Sequence, residues 1–208
     1  MKNKQSQIRA VVLDTGTGNA KSVYNSFSLV SNSVKLSANL SVLEESTHLI
    51  IPGVGSFGSL MSALTDQKLI NPITKYINSG KYFLGICLGM QILYDESEES
   101  QDICGLGFFS GKVKKFSPDV NTKSTHNGWN EIQVKPNQNS KLGLVTGNTY
   151  YFNHRYYSPP GGSEVCAQSE NGIPFAAVVN KLNVYGVQFH PEKSQQPGFE
   201  LISKFLNL

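Results

Sequence analysis

The sequence is short of the residues and runs that several protein classes require. Its 208 residues include only three cysteines, three methionines and one tryptophan. No stretch approaches the roughly 20 apolar residues that a membrane-spanning helix needs, and the mean hydropathy is −0.23. Residues 1–9 are mostly polar and are not followed by the apolar core of a secretion signal. These absences argue against a membrane protein and against a secreted one.

The cysteines and the charges exclude further classes. Cys87, Cys104 and Cys166 are odd in number and have no C-x-x-C spacing, so we expect no disulfide framework, no zinc or other metal site and a reducing cytoplasm. The formal charge is only +3, and the basic residues are 16 lysines and two arginines without a long block. Nucleic-acid surfaces need clustered basic residues. We therefore predict no nucleic-acid partner, and no cofactor motif is apparent.

The order of apolar segments predicts an α/β fold. A chain of this length suggests one domain, spanning residues 1–208. Strands are predicted at 8–13, 33–36, 48–51 and 82–87, and helices from Ala20 and at 60–64, 70–79 and 88–94. Alternation of this kind is typical of a mostly parallel central sheet flanked by helices.

The C-terminal half has a different sequence pattern. Short strand-like segments alternate with turn residues after Gly105, which predicts antiparallel β hairpins. The predicted strands are 111–116, 130–134, 149–153, 163–168, 175–180 and 184–189. A final helix is predicted at 198–206, because Phe199, Ile202 and Phe205 recur at helical spacing.

A candidate nucleophile follows the fourth predicted strand. Cys87 lies between Gly85 and Gly89, at the point where the strand gives way to a helix. This layout is that of a nucleophile elbow, in which glycines allow a tight turn and close approach of a substrate. A buried structural cysteine is the alternative, and this segment alone favours neither. Gln91 lies four residues on, so it shares the helical face of Cys87.

Cysteine catalysis also needs a base, and His190 is the candidate. His190 and Glu192 fall on the same face of residues 187–193 if this segment is extended, because a strand has a period of two. A carboxylate placed there could orient the imidazole, as in a catalytic triad. An isolated surface histidine beside a turn is the alternative. His48, which precedes an apolar strand, is interpreted as structural.

Taken together, these motifs resemble the class I glutamine amidotransferases. The order Cys…His-x-Glu is that of their triad, and the resemblance covers essentially the whole chain. Within that family, the sequence most resembles the glutaminase subunits of imidazole glycerol phosphate synthases. The segments that carry it are 14–19 (DTGTGN), 52–57 (PGVGSF), 85–91 (GICLGMQ), 126–130 (HNGWN), 151–157 (YFNHRYY) and 186–195 (GVQFHPEKSQ).

The resemblance implies a flavodoxin-like α/β fold and a set of catalytic roles. Cys87 would attack the side-chain amide of L-glutamine, His190 would act as acid and base, and Glu192 would orient His190. The oxyanion would be bound by backbone amides of Leu88 and of the loop that contains Val54 and Gly55.

The resemblance also implies substrate contacts. Gly53, Gln91 and Glu99 would bind glutamine, with Glu99 pairing with the substrate ammonium. Glu96 and Glu98 are close enough in sequence to confuse this assignment, although a solvated role is favoured for both.

A synthase partner is the last implication. The partner would be a cyclase subunit, expected to be a (β/α)₈ barrel, that forms a heterodimer with this chain and receives ammonia. The implied interface residues are Asn19, Trp129 and Lys193. A core position is an equal alternative for Trp129.

Several positions depart from the family pattern and leave other functions open. They lie in loops that hold glutamine or face the partner: Thr15, Thr17, Asn127 and Arg155. A paralogous glutaminase subunit that supplies a sugar amidotransferase in bacterial surface-polysaccharide synthesis is one alternative. A partner-free γ-glutamyl hydrolase and a catalytically inactive regulatory subunit are others.

Overall fold

The computed structural model describes residues 9–16, 19–53, 55–119, 121–136 and 141–208. An eight-stranded sheet has the order β2-β1-β3-β4-β13-β12-β11-β8. Its strands are β1 Ala10–Leu13, β2 Val34–Ser37, β3 His48–Ile51, β4 Tyr82–Ile86, β8 Gln133–Val134, β11 Val165–Glu170, β12 Pro174–Lys181 and β13 Val184–Val187. Strands β2, β1, β3, β4 and β13 are parallel, and β12, β11 and β8 continue the sheet in antiparallel pairs.

Helices cover both faces of this sheet. They are α1 Ala20–Ser28, α2 Leu40–Glu45, α3 Phe57–Asp66, α4 Ile70–Asn78, α5 Leu88–Gln91 and α6 Gln195–Leu206. Alternate residues of the strands enter two cores: Val12 and Ile50 pack with α1 and α6, whereas Val11 and Leu49 pack with α3 and α4. Strands buried on both faces explain the continuous apolar runs. No helix among the described residues is long and apolar enough to cross a membrane.

Five further strands lie outside the large sheet. They are β5 Tyr94–Ser97, β6 Phe109–Lys115, β7 His126–Glu131, β9 Thr149–His154 and β10 Tyr156–Tyr157. Strands β7 and β9 form an antiparallel ribbon, and β6 lies between β5 and β10. The predicted α/β class, the mostly parallel sheet and the antiparallel C-terminal pairs are confirmed. The pairing of β5 with β6 is parallel, and β5 lies before Gly105, where no strand was predicted.

The predicted helix at 88–94 is wrong beyond its first turn. Helix α5 ends at Gln91, and Tyr94 starts β5. The Ile92 carbonyl accepts from the Leu106 amide, and the Leu93 carbonyl accepts from the amides of Phe108 and Phe109, so neither carbonyl bonds to a continuing helix. Tertiary pairing therefore overrides the local helical pattern. The acidic residues at 96–99 consequently lie on β5 and the turn after it, not at a helix end.

Candidate active site

Cys87 lies at the sharp turn between β4 and α5. Its backbone has φ 53° and ψ −106°, a region that non-glycine residues rarely occupy. A Cβ added at Gly85 would overlap the carbonyl of Gly89, and one added at Gly89 would overlap the carbonyl of Ile51. Both glycines are therefore required by close backbone packing. The elbow predicted from the sequence is present.

His190 is brought to Cys87 by strand pairing. Strands β4 and β13 are parallel neighbours, with Ile86 beside Val187, and each reactive residue follows the end of its strand. The His190 Nδ1 atom lies 2.9 Å from Glu192 Oε1, and the two side chains are 3% and 1% exposed. The carboxylate accepts from Nδ1, which leaves Nε2 of His190 for the reaction.

The predicted reason for this contact was wrong. Residues Pro191–Lys193 form a 3₁₀ turn, so His190 and Glu192 do not lie on one face of a strand. The turn brings the carboxylate back to the imidazole instead. Strand β9 holds the turn in place, because the His190 amide donates to the Tyr151 carbonyl at 2.8 Å and the Tyr151 amide donates to the Ser194 hydroxyl oxygen at 3.0 Å. Within the turn, the Ser194 hydroxyl donates to the His190 carbonyl at 2.6 Å.

The electrostatics of this arrangement favour a charged imidazole. Burial opposes the protonated form of His190, but attraction to a Cys87 thiolate, together with hydrogen bonding to Cys87 and to Glu192, outweighs it and raises the pKa of His190 to about 10. An imidazolium beside the sulfur is the state that stabilises a thiolate nucleophile. The trio can therefore supply both a nucleophile and an acid.

Cys87 and His190 line a cleft of about 410 Å³. Most of the residues predicted for the site line this cleft: Gly53, Gly55, Cys87, Leu88, Gln91, Glu99, His190 and Lys193. Glu192 lies behind His190. Val54 and Thr17 lie outside the described residues. The arrangement suits nucleophilic attack on a small polar substrate that carries a leaving group.

Comparison with known proteins decides the family. The model of the family described as Glutamine amidotransferase class-I matches residues 11–207. The chain belongs to this amidotransferase family. The protein named imidazole glycerol phosphate synthase subunit HisH from Helicobacter hepaticus is 36% identical over 216 residues, covering 98% of this chain and 100% of that relative. The protein of the same name from Methanocaldococcus jannaschii is 39% identical and covers 95% of this chain and 98% of the relative.

Solved structures support the fold of this amidotransferase. A structure titled PurLQS from Thermotoga maritima superposes with a TM-score of 0.73 at 21% identity, covering 96% of this chain and 98% of that one. A structure titled glutamine amidotransferase superposes with a TM-score of 0.72 at 17% identity, with 95% and 99% covered. At these identities the similarity concerns the fold alone.

The side chains of the three neighbouring glutamates make different contacts. Glu96 pairs with Lys112 at 3.3 Å, and Glu98 accepts from the Lys115 amide at 2.8 Å. Glu99 alone of the three lines the cleft, where its Oε2 accepts from the Phe57 amide at 2.7 Å. The predicted preference for Glu99 thus agrees with where the side chains lie. Its contact with glutamine stays a prediction.

Gln91 lines the cleft, but its side-chain Nε2 group is hydrogen-bonded within the protein rather than available to a substrate. Its Nε2 atom donates to the Tyr156 carbonyl at 2.8 Å and to Gln188 Oε1 at 3.0 Å. Both amide protons are used inside the protein. The Oε1 atom is therefore the end of the Gln91 side chain that can meet a substrate.

The predicted partner residue Lys193 lines the cleft, and Trp129 lies near Lys193 across the ring of Tyr151. The core interpretation of Trp129 is wrong, because its side chain is 48% exposed on β7. Its ring meets that of Tyr151 edge-on at 6.0 Å, and the Lys193 ammonium lies 5.5 Å from the same Tyr151 ring. We call Trp129, Tyr151 and Lys193 the aromatic rim. Asn19 precedes α1, which packs against the turn that carries Lys193.

Several cleft residues were not assigned from the sequence. Asn127 and Arg155, noted only as departures, both line the cleft, as do Asn153 and His154. Gln188 lies directly behind the nucleophile, with its Nε2 atom 3.6 Å from the Cys87 sulfur. No local pattern marks Gln188, since it reads as part of the apolar strand that leads to His190.

Proposed function

We propose that this chain is the glutaminase subunit of an imidazole glycerol phosphate synthase. It hydrolyses L-glutamine to glutamate and ammonia and supplies the ammonia to a cyclase subunit in histidine biosynthesis. The observation that carries this proposal is the buried trio of Cys87, His190 and Glu192, of which Cys87 and His190 line the cleft. The relatives named HisH, which align over nearly their whole length, support the choice of synthase.

The reaction follows from the positions of these groups. The Cys87 thiolate attacks the side-chain carboxamide carbon, and a tetrahedral oxyanion forms. The His190 imidazolium gives its Nε2 proton to the amide nitrogen. The C–N bond then breaks, ammonia departs, and a γ-glutamyl thioester remains on Cys87. The neutral His190 then takes a proton from water as the water oxygen attacks the thioester. Breaking the C–S bond releases glutamate and restores the thiolate.

The oxyanion is assigned to backbone amides at the two glycine-rich turns. Leu88 starts α5 directly after the nucleophile, and Gly53 and Gly55 line the same cleft. Gly55 has φ 109°, a conformation that side-chain-bearing residues rarely adopt. A single oxyanion donor is typically worth roughly 10²–10³ in rate. Gain or loss of one such donor would therefore be enough to switch hydrolysis on or off.

Replacing Glu99 by glutamine should raise KM for glutamine about tenfold and leave kcat within about threefold. The change removes a negative charge from the cleft wall while leaving the catalytic trio in place, and a hydrogen bond to a charged group is worth about 1.5–3 kcal/mol. Steady-state ammonia release measures both constants.

The matched control for this change is Glu98→Gln, which alters a neighbouring glutamate outside the cleft. An equal rise in KM in both variants would refute the assignment of Glu99 to the substrate ammonium.

The ammonia acceptor is assigned to the cyclase subunit, expected as a (β/α)₈ barrel in a heterodimer. The aromatic rim and Asn19 are the proposed contact surface, because an exposed tryptophan beside a tyrosine and a cation is typical of interface anchors. We place the activity in the cytoplasm, since the nucleophile must remain a free thiol and reducing compartments maintain one. We also propose that residues 1–208 act as a single amidotransferase domain.

Ammonia release should be slow from the isolated chain and rise at least a hundredfold with the cyclase subunit and its acceptor substrate. Trp129→Ala should reduce this activation at least tenfold and leave basal hydrolysis nearly unchanged, because Trp129 contacts neither the thiol nor the imidazole. Leu182→Ala is the control, since Leu182 is 81% exposed at the opposite end of β13. The measurement is steady-state ammonia release from the chain alone, with partner, and with partner plus acceptor.

Three results would count against this assignment. Full activity of the isolated chain, unchanged by the cyclase, would favour a partner-free hydrolase. Activation by a sugar amidotransferase instead of the cyclase would place the chain in surface-polysaccharide synthesis. External ammonium at high pH should replace glutamine in the coupled reaction, and its failure to do so would exclude ammonia transfer.

A further inference from the structure

Gln188 is a polar side chain in the core with a reactive neighbour. It is 0% exposed, and it follows β13 two residues before His190. Its Nε2 atom lies 3.6 Å from the Cys87 sulfur, within the range of a hydrogen bond to sulfur. On another side, the sulfur lies 3.9 Å from the Asn153 carbonyl oxygen. A thiol can donate to that carbonyl, whereas a thiolate can only accept, and Gln188 offers it a donor.

The orientation of the Gln188 amide is determined by its other end. Gln188 Oε1 accepts from Gln91 Nε2 at 3.0 Å. Reversing the Gln188 amide would place two N–H₂ groups against each other and leave an oxygen facing the sulfur. The Nε2 group must therefore face Cys87. Gln91 is held in turn, because its second proton goes to the Tyr156 carbonyl.

A pair of buried histidines extends this chain of hydrogen bonds. The Tyr156 carbonyl also lies 2.8 Å from His154 Nδ1, and a carbonyl can only accept, so Nδ1 carries the proton. His154 Nε2 then accepts from His126 Nδ1 at 3.0 Å, and His126 Nε2 accepts from Asn130 Nδ2 at 3.1 Å. Burial lowers the pKa of His154 to about 3 and that of His126 to about 4. Both rings are neutral at pH 7, so the direction of every bond is set.

We propose that Gln188 stabilises the Cys87 sulfur as a thiolate and that the Asn130–His126–His154–Tyr156–Gln91 chain fixes the Gln188 amide for this task. Gln188 does not line the cleft, so its effect is on the nucleophile rather than on substrate binding. The other titratable or charged groups that share the cleft with the sulfur are His190, His154, Glu99, Arg155, Tyr156 and Lys193. None of them takes the place of an amide donor behind the sulfur.

Gln188→Met should shift the pH profile of Cys87 alkylation by iodoacetamide to higher pH and slow alkylation at pH 7 about ten- to a hundredfold. That loss is the size expected for a hydrogen bond to a charged group. Gln188→Glu should shift the profile in the same direction, because it keeps the acceptor for Gln91 but turns an oxygen toward the sulfur. In glutamine hydrolysis kcat should fall by a similar factor while KM changes less than about twofold.

The alkylation is read in a Cys104→Ser background, because Cys104 is exposed whereas Cys166 is buried. The matched control is Gln168→Met, which removes a half-buried glutamine that donates to the Pro160 carbonyl. Its alkylation profile should equal that of the parent. An unshifted profile in correctly folded Gln188 variants, or an equal shift in the control, would overturn the role of Gln188.

A measurement on the unmodified side chain covers the case in which the Gln188 variants do not fold. The ¹⁵N and ¹H NMR chemical shifts of the Gln188 side-chain amide should change with pH at the same midpoint as the rate of Cys87 alkylation. Chemical shifts that do not change at this midpoint would overturn the proposal. The inference rests on the proposed function for the identity of the nucleophile, but alkylation needs no glutamine. Shifted profiles without any glutamine hydrolysis would refute the proposed function and still support the role of Gln188.

Discussion

Replacing Cys87 by serine should abolish glutamine hydrolysis, with a loss of roughly 10⁴-fold or more. Loss of a catalytic nucleophile has effects of this order, because the remaining groups cannot replace the covalent step. The elbow geometry should be retained, since a hydroxyl is no larger than the thiol. Ammonia release in the presence of the partner gives the most sensitive comparison, and circular dichroism verifies the fold.

Labelling provides the control for this prediction. A glutamine-analogue electrophile should modify Cys87 and leave Cys104 and Cys166 unmodified, although Cys104 is the exposed cysteine. Cys166 is buried, and burial raises its pKa to about 11. Cys104→Ser should hydrolyse glutamine at the normal rate. Modification at either of the other two cysteines, with Cys87 unlabelled, would overturn the assignment of the nucleophile.

Replacing His190 by alanine should have an effect nearly as large, roughly 10⁴-fold, and Glu192→Gln should lose less. His190 transfers the proton in both halves of the reaction, whereas Glu192 reaches the imidazole at 2.9 Å and does not line the cleft. In other catalytic triads the orienting carboxylate also contributes less than the base. Single-turnover release of ammonia in the two variants measures the difference directly.

The pH dependence of kcat/KM provides an independent test of the roles of His190 and Glu192. In the free enzyme burial lowers the pKa of His190, but electrostatic attraction and hydrogen bonding to Cys87 and Glu192 outweigh burial and raise this pKa to about 10. The imidazolium needed to protonate the leaving nitrogen is therefore present at neutral pH and lost as the pH rises through that value. Glu192→Gln should move this alkaline limb of kcat/KM to lower pH. Equal losses in the two variants, with the limb unmoved, would show that Glu192 is not an orienting group.

Local sequence patterns predict the strands and helices where one pattern dominates. The apolar runs at β1, β3 and β4 and the helical spacing of α6 produced correct assignments. Helix α2 was not predicted, and the helix predicted at 88–94 was extended past Gln91 to Tyr94, where β5 begins. Both errors come from short segments, in which a few tertiary hydrogen bonds outweigh the intrinsic preference of the backbone.

The sequence by itself singled out Cys87, His190 and Glu192 as the candidate nucleophile, base and carboxylate of this protein. These groups are coded by short-range features: a cysteine between glycines at a strand end, and a histidine two residues before a glutamate. Only the tertiary structure decided which glutamate enters the cleft, whether Trp129 is exposed, and that Gln188 meets a sulfur 101 residues away along the chain. The contact between Gln188 and Cys87 exists only after β4 and β13 pair. The surroundings of Glu99 and Trp129 likewise depend on tertiary packing, which the spacing of residues in the sequence does not specify.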